Sequence, residues 1–388
     1  MSPHTSYSIS DLQIEDPKDS TYNGDLMNGN SIYTITTKAN GYKTSASNGR
    51  TNGNPARPLV PGVYAPTIAF FDDKTEDLDI PTIKRHAVRL AFAGLHGLVT
   101  QGSNGEAVHL SRTERKAVTA ATREALDEAG YNDIPVIVGC GAQSIRETIE
   151  LCQEAQVSGG DYAMILPPSY YAALYTSESQ FEFFTRVADA SPIPILIYNY
   201  PGAVSGIDMT SDVISNLAKH QNIVGVKLTC GNTGKLGRVA SKAPEGFLTM
   251  GGSCDFTLPT LIGGGKGVIG GLANIAPMAS VETYNLYMAG KVKKAVKMQA
   301  ILARGDWVTI KTGVVGTKSC LMYKFGYGGY GRRPLPRPTK EQALAYYKEM
   351  EELLLLEEFL VTGKKETGVH LSRKTEYPGL VELEKSLV

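Results

Sequence analysis

The chain has 388 residues, of which 42% are hydrophobic and 20% charged, as in an ordinary globular protein. Its 39 basic and 39 acidic residues cancel, so the charge gives no sign of a nucleic-acid partner or of an acidic membrane surface. No apolar run approaches the roughly 20 residues of a membrane-spanning helix. The five cysteines are scattered without a C-x-x-C pair, which predicts reduced thiols in a cytosolic compartment.

The first segment of the chain is polar. Residues 1–57 are rich in Ser, Thr, Asn and Gly, and such a composition buries too little apolar surface to offset the entropy of ordering. We therefore predict a disordered extension. The segment has acids as early as Asp11 and Glu15 and no arginine before Arg50. Because a mitochondrial transit peptide is rich in arginine and poor in acids, we expect a cytoplasmic protein.

Residues 58–276 alternate short apolar runs with longer amphipathic segments. The segments place apolar residues at helical spacing, as at Ile145, Ile149 and Cys152. Eight runs rich in Val, Ile, Leu or Tyr are typical of strands: Val63–Phe71, Gly97–Gly102, Ile134–Gly141, Tyr162–Pro167, Pro194–Pro201, Ile223–Thr229, Phe247–Gly252 and Gly267–Asn274. Eight strand–helix units predict a parallel (β/α)8 TIM barrel of the α/β class. A doubly wound sheet is the main alternative, but the first run lacks its G-x-G-x-x-G pattern.

The remainder of the chain predicts a helical layer appended to the barrel over residues 277–360. Helical patterns cover Met278–Arg304 and Lys340–Leu360, and the Gly-, Tyr- and Pro-rich segment Phe325–Pro338 bridges part of the gap between them. Residues 361–388 are charged and are expected to form a frayed tail.

Lys227 is the only charged residue in the apolar run Asn222–Cys230. Burial removes water from an ammonium group and favours the neutral amine, which can attack a ketone and form a Schiff base. A strand-end lysine can instead bury its stem and extend its charge to solvent. This run alone leaves both interpretations open.

The alternation of a strand predicts which way each residue of this run faces. Two sets alternate: Val224, Val226 and Leu228 would face the helices, while Gly225, Lys227 and Thr229 would face the barrel interior. A glycine one layer below the lysine leaves room for its long side chain. The alternation therefore favours an inward lysine.

Other polar groups follow predicted strands at the barrel face where catalytic residues lie. Tyr198 comes one strand–helix unit before Lys227, and a phenol beside an amine can transfer protons, although a core tyrosine bonded to backbone is an equal alternative. The turn Gly102–Gly105 can direct backbone N–H groups at a carboxylate. Glu106 can belong to this site or be a structural carboxylate near the next helix.

Three motifs in order resemble those of the dihydrodipicolinate synthase / N-acetylneuraminate lyase family of Schiff-base-forming barrels. They are Gly102–Glu106 (GSNGE), Tyr198–Pro201 (YNYP) and Gly225–Lys227 (GVK), and the resemblance extends over about residues 61–338. It implies that Lys227 forms the Schiff base with a 2-oxo group and that Tyr198 transfers protons.

The resemblance also implies further site residues and an assembly. The residues expected to bind substrate are Ser103, Asn104, Thr229, Gly252 and Ile269, with Ser103 also linked to the tyrosine relay. Tyr171 would be a third catalytic residue that reaches across a subunit interface, although Tyr170 is close enough to blur the assignment. A homo-oligomer, a tetramer or a dimer, is therefore expected. No cofactor is expected, and the six histidines show no metal-ligand spacing.

Departures from the family pattern narrow the expected reaction. The synthase branch typically has two threonines where this chain has Ser103 and Asn104, and it places an arginine shortly after Y-N-x-P to hold the carboxylate of aspartate semialdehyde. Here that stretch is Gly202–Val204, and an alanine does not replace a bidentate guanidinium. The GSNGE turn is similar to 4-hydroxy-2-oxoglutarate aldolases, and its extension Ala107–Ser111 to fungal L-threo-3-deoxy-hexulosonate aldolases.

The sequence therefore predicts a Schiff-base-forming aldolase, a lyase. Its substrate would be a 4-hydroxy-2-oxo acid, either a 2-keto-3-deoxy sugar acid or 4-hydroxy-2-oxoglutarate, which it cleaves to or forms from pyruvate and an aldehyde. A dihydrodipicolinate-synthase-like condensing enzyme or a hydratase-aldolase of specialised metabolism is one alternative. A non-catalytic scaffold that binds 2-oxo acids is an alternative from another class.

Overall fold

The computed structural model describes residues 57–362 and Leu387. The predicted extension, apart from Arg57, and most of the predicted tail lie outside the described residues. Within residues 57–362, no helix is both long enough and apolar enough to cross a membrane.

Eight parallel strands pair in chain order and close into a barrel, which confirms the predicted fold class. Each strand is short and buried because helices cover the outside of the barrel while side chains fill its interior. The strands are β1 (Gly62–Pro66), β2 (Gly97–Thr100), β3 (Val136–Gly139), β4 (Tyr162–Ile165), β5 (Ile195–Asn199), β6 (Ile223–Leu228), β7 (Leu248–Gly251) and β8 (Gly267–Ile269).

Within residues 57–362, one α-helix follows each strand, and three more α-helices follow the barrel. Ser and Thr side chains start several of them, as at Ser111, whose hydroxyl accepts from the Glu114 N–H in a capping box. The helices are α1 (Ile80–Phe92), α2 (Arg112–Glu128), α3 (Ile145–Val157), α4 (Ser177–Ala190), α5 (Ser211–Leu217), α6 (Thr233–Lys242), α7 (Thr257–Ile262), α8 (Pro277–Met288), α9 (Val292–Phe325), α10 (Lys340–Glu349) and α11 (Glu351–Thr362).

The apolar core has two layers. The larger one lies between the strands and the helices, and it includes Val226 and Leu228 of β6. The smaller one fills the barrel interior, and it includes Tyr198 of β5, Met250 of β7 and Ile269 of β8. Alternate residues of each strand thus serve the two layers, as the pleat requires.

The predicted alternation of β6 is correct at Val226 and Leu228 but wrong at Val224. Val224 packs against the interior cluster rather than toward the helices, because the register of β5 against β6 slips at this point. Ile195 pairs with Ile223, but Leu196 pairs with Gly225, so Val224 is an extra residue in the strand. From Gly225 onward the predicted alternation holds.

The helices after the barrel differ from the two predicted spans. The span Met278–Arg304 contains two helices, α8 and α9, because Gly290 adopts a left-handed conformation (φ 72°) at the end of α8. The span Lys340–Leu360 is divided into α10 and α11 at Met350, whose N–H closes the last turn of α10. Helix α9 continues to Phe325 and changes direction at Gly313 (φ 59°, ψ −146°).

Candidate active site

Lys227 and Tyr198 lie side by side in the barrel interior. They are register partners on β6 and β5, and each side chain is 2% exposed. The Lys227 Nζ donates to the Tyr198 hydroxyl at 3.3 Å and lies 4.3 Å from the centre of its ring. The lysine therefore does not extend its amine to solvent, and the phenol is its immediate polar neighbour.

Ser103 extends this pair into a chain of three polar groups. Its Oγ lies 3.4 Å from the Tyr198 hydroxyl, which thus contacts both Ser103 and Lys227. A second tyrosine, Tyr200, packs on the Tyr198 ring with centroids 5.8 Å apart and planes 22° apart, and burial raises the pKa of Tyr200. The relay predicted from sequence is geometrically possible in this arrangement.

Two residues in the left-handed backbone region flank the turn that carries Ser103. Gln101 has φ 56° and Glu106 has φ 49°, a conformation that costs free energy in a residue other than glycine. Tertiary contacts hold both. The Gln101 amide donates to Thr119 Oγ1 at 2.6 Å on α2, and Glu106 is fixed by contacts from the far end of the chain. The turn is thus held rigidly at both ends.

Glu106 has the contacts of a structural carboxylate, one of the two roles left open by the sequence. It is 2% exposed and forms an ion pair with Lys318 of α9, with 2.7 Å between Nζ and Oε1. Its other oxygen lies 3.0 Å from His109 Nδ1 and accepts from the Arg332 backbone N–H at 2.9 Å. Burial lowers the pKa of Lys318. The pair therefore connects the turn after β2 to the C-terminal helices.

The other predicted binding residues lie at the ends of neighbouring strands. Asn104 lies against the backbone after β8, where a Cβ on Gly271 would come within 3.0 Å of its Nδ2. A Cβ on Gly252 would lie 2.1 Å from Thr229 Oγ1, so only glycine fits beside this threonine. The Thr229 hydroxyl is buried and has no hydrogen-bond partner among the described residues. Ile269 is fully buried in the interior cluster.

The structure does not bring Tyr171 into this interior group. Tyr171 is 62% exposed and its ring packs edge-on against Tyr170, with centroids 5.0 Å apart. Other apolar side chains are exposed in the loops after β2 and β4, namely Val108 at 92% and Leu174 at 76%. Tyr171 is therefore an exposed side chain that packs beside Tyr170, outside the interior group.

The loop after β5 contains Gly202–Val204, the stretch where the synthase branch places its arginine. The loop is held by Asn199, whose Nδ2 donates to Asp208 Oδ1 at 2.8 Å and whose Oδ1 accepts from the Met209 N–H at 2.9 Å. Lys235 of α6 also pairs with Asp208. The asparagine of the YNYP motif thus has a structural role.

Sequence reasoning missed the polar groups in the loop after β7. Ser253, Cys254 and Asp255 directly follow Gly252, and all three contact Asp306 of α9. Burial raises the pKa of both Asp255 and Asp306. Polar residues directly after a strand could have predicted that this loop belongs to the site. The sequence gives no signal that Asp306 contacts the loop.

Comparisons with known proteins bear on the family and the enzyme class. The profile of the Dihydrodipicolinate synthetase family matches residues 60–353. The chain is 57% identical over 301 residues to "Probable 4-hydroxy-2-oxoglutarate aldolase, mitochondrial" of Emericella nidulans, a match that covers 78% of this chain and 97% of that protein. It is 50% identical over 330 residues to L-threo-3-deoxy-hexylosonate aldolase of Aspergillus niger, covering 79% of this chain and 98% of that protein.

A solved structure shows the same likeness. The chain resembles YagE, a prophage protein of the dihydrodipicolinic acid synthase family from E. coli K12, with a TM-score of 0.70 and 27% identity over 76% of this chain and 99% of that chain. The aldolase relatives confirm the predicted enzyme class, a carbon–carbon lyase. The chain belongs to the dihydrodipicolinate synthetase family.

Proposed function

We propose that Lys227 is the Schiff-base nucleophile of an aldolase that interconverts a 4-hydroxy-2-oxo acid with pyruvate and an aldehyde. The observation that carries this proposal is the 3.3 Å contact between the Lys227 Nζ and the Tyr198 hydroxyl in the closed interior of the barrel. An amine there is shielded from water, and a proton donor and acceptor touches it. YagE, which has the same fold, was solved in complex with pyruvate.

The proposed reaction begins with attack of the neutral Lys227 amine on C2 of the oxo acid. The C2 oxygen takes one proton from the attacking nitrogen and a second from Tyr198, so that water leaves and an iminium and the Tyr198 phenolate remain. The phenolate of Tyr198 then takes the proton of the C4 hydroxyl. The C3–C4 bond breaks, its electrons flow into the iminium to form an enamine, and C4 departs as an aldehyde. Protonation at C3 and hydrolysis release pyruvate and restore the amine.

The turn after β2 is the proposed binding site for the C1 carboxylate. Ser103 and Asn104 present a hydroxyl and an amide at the end of β2, and the flanking residues hold them in place. The Thr229 hydroxyl, which has no hydrogen-bond partner within residues 57–362, would pair with a polar group of bound substrate, since a buried hydroxyl without a partner is costly. Gly252 and Ile269 complete the wall at the ends of β7 and β8.

Release of pyruvate from candidate substrates tests the proposed activity. We expect the wild-type enzyme to release pyruvate from a 2-keto-3-deoxyhexonate, from 4-hydroxy-2-oxoglutarate, or from both. We expect Lys227→Met to release none, because methionine has a similar length but no amine. Folding of this variant is checked by circular dichroism. Retention of cleavage by a folded Lys227→Met enzyme would refute the role of Lys227.

We also propose that the enzyme is a homo-oligomer in which Tyr171 reaches a second subunit. The support is the exposure of four large side chains in the loops after β2 and β4: Val108, Tyr170, Tyr171 and Leu174. Exposed apolar patches mark interaction sites. Light scattering of the wild type should give a multiple of the 41.7 kDa chain mass. A Leu174→Glu change should shift it toward the monomer, and a monomeric wild type would contradict the proposal.

A cytoplasmic location remains our proposal, on the basis of the early acids and late arginine of residues 1–57. The relative from Emericella nidulans is named as mitochondrial. Fluorescence of the full chain fused to a C-terminal reporter distinguishes the two compartments: diffuse signal supports the proposal, and signal that coincides with a mitochondrial stain contradicts it.

A further inference from the structure

Helix α9 lies outside the barrel, yet one of its side chains reaches the loop at the end of β7. Asp306 is 1% exposed. Its Oδ2 accepts from the Ser253 hydroxyl at 2.6 Å, from the Cys254 N–H at 2.8 Å and from the Asp255 N–H at 3.0 Å. The hydroxyl of Thr309 donates to Oδ1. Three donors thus converge on Oδ2, and an oxygen can accept from all three only if it carries no proton itself.

A second side chain of α9 fixes the same loop. The Gln299 Nε2 donates to the Cys254 carbonyl at 2.9 Å and to the Asp255 carbonyl at 2.8 Å. Its Oε1 accepts from the Leu258 N–H at 2.8 Å. Asp306 and Gln299 together therefore hold the backbone of this loop against α9.

The loop so held belongs to the candidate active site. It continues directly from Gly252, which packs against Thr229 at the end of the strand that carries Lys227. On its other side, a Cβ on Gly270 would lie 2.2 Å from Cys254 Sγ. The loop is thus wedged between the ends of β6 and β8, and Ser253 is its first residue beyond the glycine.

The hydrogen bond to Asp306 decides what Ser253 can recognise. A serine hydroxyl has one proton, and here that proton is directed at Asp306 Oδ2. The lone pairs that remain can only accept. Beside it, Asp255 Oδ1 is buried and has no hydrogen-bond partner among the described residues. The end of β7 therefore offers acceptors, which suit a hydroxyl group but cannot bind an ionised carboxylate, since that group is itself only an acceptor.

We propose that Asp306 is a positioning residue that fixes Ser253 as an acceptor for a hydroxyl of the aldehyde half of the substrate. The site then prefers a neutral polyhydroxylated aldehyde over glyoxylate, and a 2-keto-3-deoxy sugar acid over 4-hydroxy-2-oxoglutarate. This inference rests on the proposed aldolase function and adds the substrate class.

The ratio of kcat/KM for the two substrates tests it. We expect the wild type to favour the 2-keto-3-deoxyhexonate. Ser253→Ala removes one hydrogen bond and should lower kcat/KM for the sugar acid about tenfold, while kcat/KM for 4-hydroxy-2-oxoglutarate stays the same or rises. Asp306→Ala should shift the ratio in the same direction, because it removes the oxygen that accepts from all three loop donors.

A matched control separates positioning from general loss of structure. Glu357 of α11 is also a buried carboxylate that accepts two backbone N–H groups, those of Met278 and Ala279 in the first turn of α8. Glu357→Ala should leave the substrate ratio unchanged even if it lowers stability. An equal loss on both substrates in Ser253→Ala, or the same shift of ratio in Glu357→Ala, would overturn the proposal.

Trapping with borohydride separates the substrate preference from the proposed aldolase chemistry. Borohydride reduction in the presence of pyruvate reports Schiff-base formation on Lys227 without any aldehyde. Suppose that the wild type and the variants at Ser253 and Asp306 all form the adduct, but the wild type prefers 4-hydroxy-2-oxoglutarate. The roles assigned to Ser253 and Asp306 are then wrong and the aldolase chemistry stands. If the wild type is not trapped, the proposed function itself is wrong.

Discussion

The hydroxyl of Tyr198 lies between the amine of Lys227 and the hydroxyl of Ser103, at 3.3 and 3.4 Å. A phenol in this position can give a proton to one neighbour and receive one from the other. Lys227 and Tyr198 were predictable from sequence, because a single charge in an apolar strand and a tyrosine one unit earlier are visible in the chain, and Ser103 was predicted from the resemblance of its turn to the family motif. The roles of Asp306 and Lys318 were not, since each acts through contacts with loops far away in sequence.

Replacement of Tyr198 by phenylalanine tests the relay at the scale of one atom. The change removes only the hydroxyl and keeps the buried ring. We expect kcat to fall about 10²–10⁴-fold, the usual contribution of a general acid–base group, with little change in melting temperature. Steady-state kinetics of pyruvate release measures this, with Tyr200→Phe as a control that removes a neighbouring phenol. An undiminished kcat in Tyr198→Phe would exclude the phenol from proton transfer.

Helix α9 is the element that joins the C-terminal layer to the active site. Lys318 in its second half holds the turn after β2 through Glu106, and Asp306 in its first half holds the loop after β7. The eight strands were predictable because each is a short apolar run that ends in a breaker. The extra residue at Val224 was not, because it depends on the pairing of β5 with β6 and leaves no mark in the local pattern.

Removal of the buried charge at Lys318 should destabilise the fold strongly. Both side chains of the Lys318–Glu106 pair are 1% exposed, so Lys318→Met leaves a buried carboxylate without its partner, at a cost of about 3–5 kcal/mol. The control is Lys311→Met on the same helix, which breaks an exposed pair with Glu349 and should cost at most about 1 kcal/mol. Chemical denaturation measures both, and equal losses would contradict the structural role of the buried pair.

At the scale of the whole molecule, the C-terminal helices of the described residues pack against the closed barrel. The carboxylate of Glu357 on α11 accepts the Met278 and Ala279 N–H groups at the start of α8. This joins the last described helix to the barrel. The helical layer was predictable from its apolar periodicity, but its attachment was not, because the partners of Glu357 are backbone groups some eighty residues earlier.

This attachment should weaken as the pH rises. Burial raises the pKa of Glu357 from 4.5 to about 7, so the folded state binds the proton more tightly than the unfolded chain does. The resulting stabilisation is fully present below about pH 4.5 and is lost as the pH rises through about 7, by about 3 kcal/mol at most. Glu357→Gln should remove this part of the pH dependence. Parallel stability curves for the two proteins between pH 4.5 and 8 would contradict the assignment.

The central claim, that Lys227 forms a Schiff base with a 2-oxo acid, is tested most directly by reduction with borohydride in the presence of pyruvate. We predict that mass spectrometry of the digested enzyme finds the reduced pyruvate adduct on the peptide that contains Lys227, and that Lys227→Met carries none. A wild-type enzyme that releases pyruvate from its substrate yet gains no adduct, or gains it on another lysine, would contradict the account.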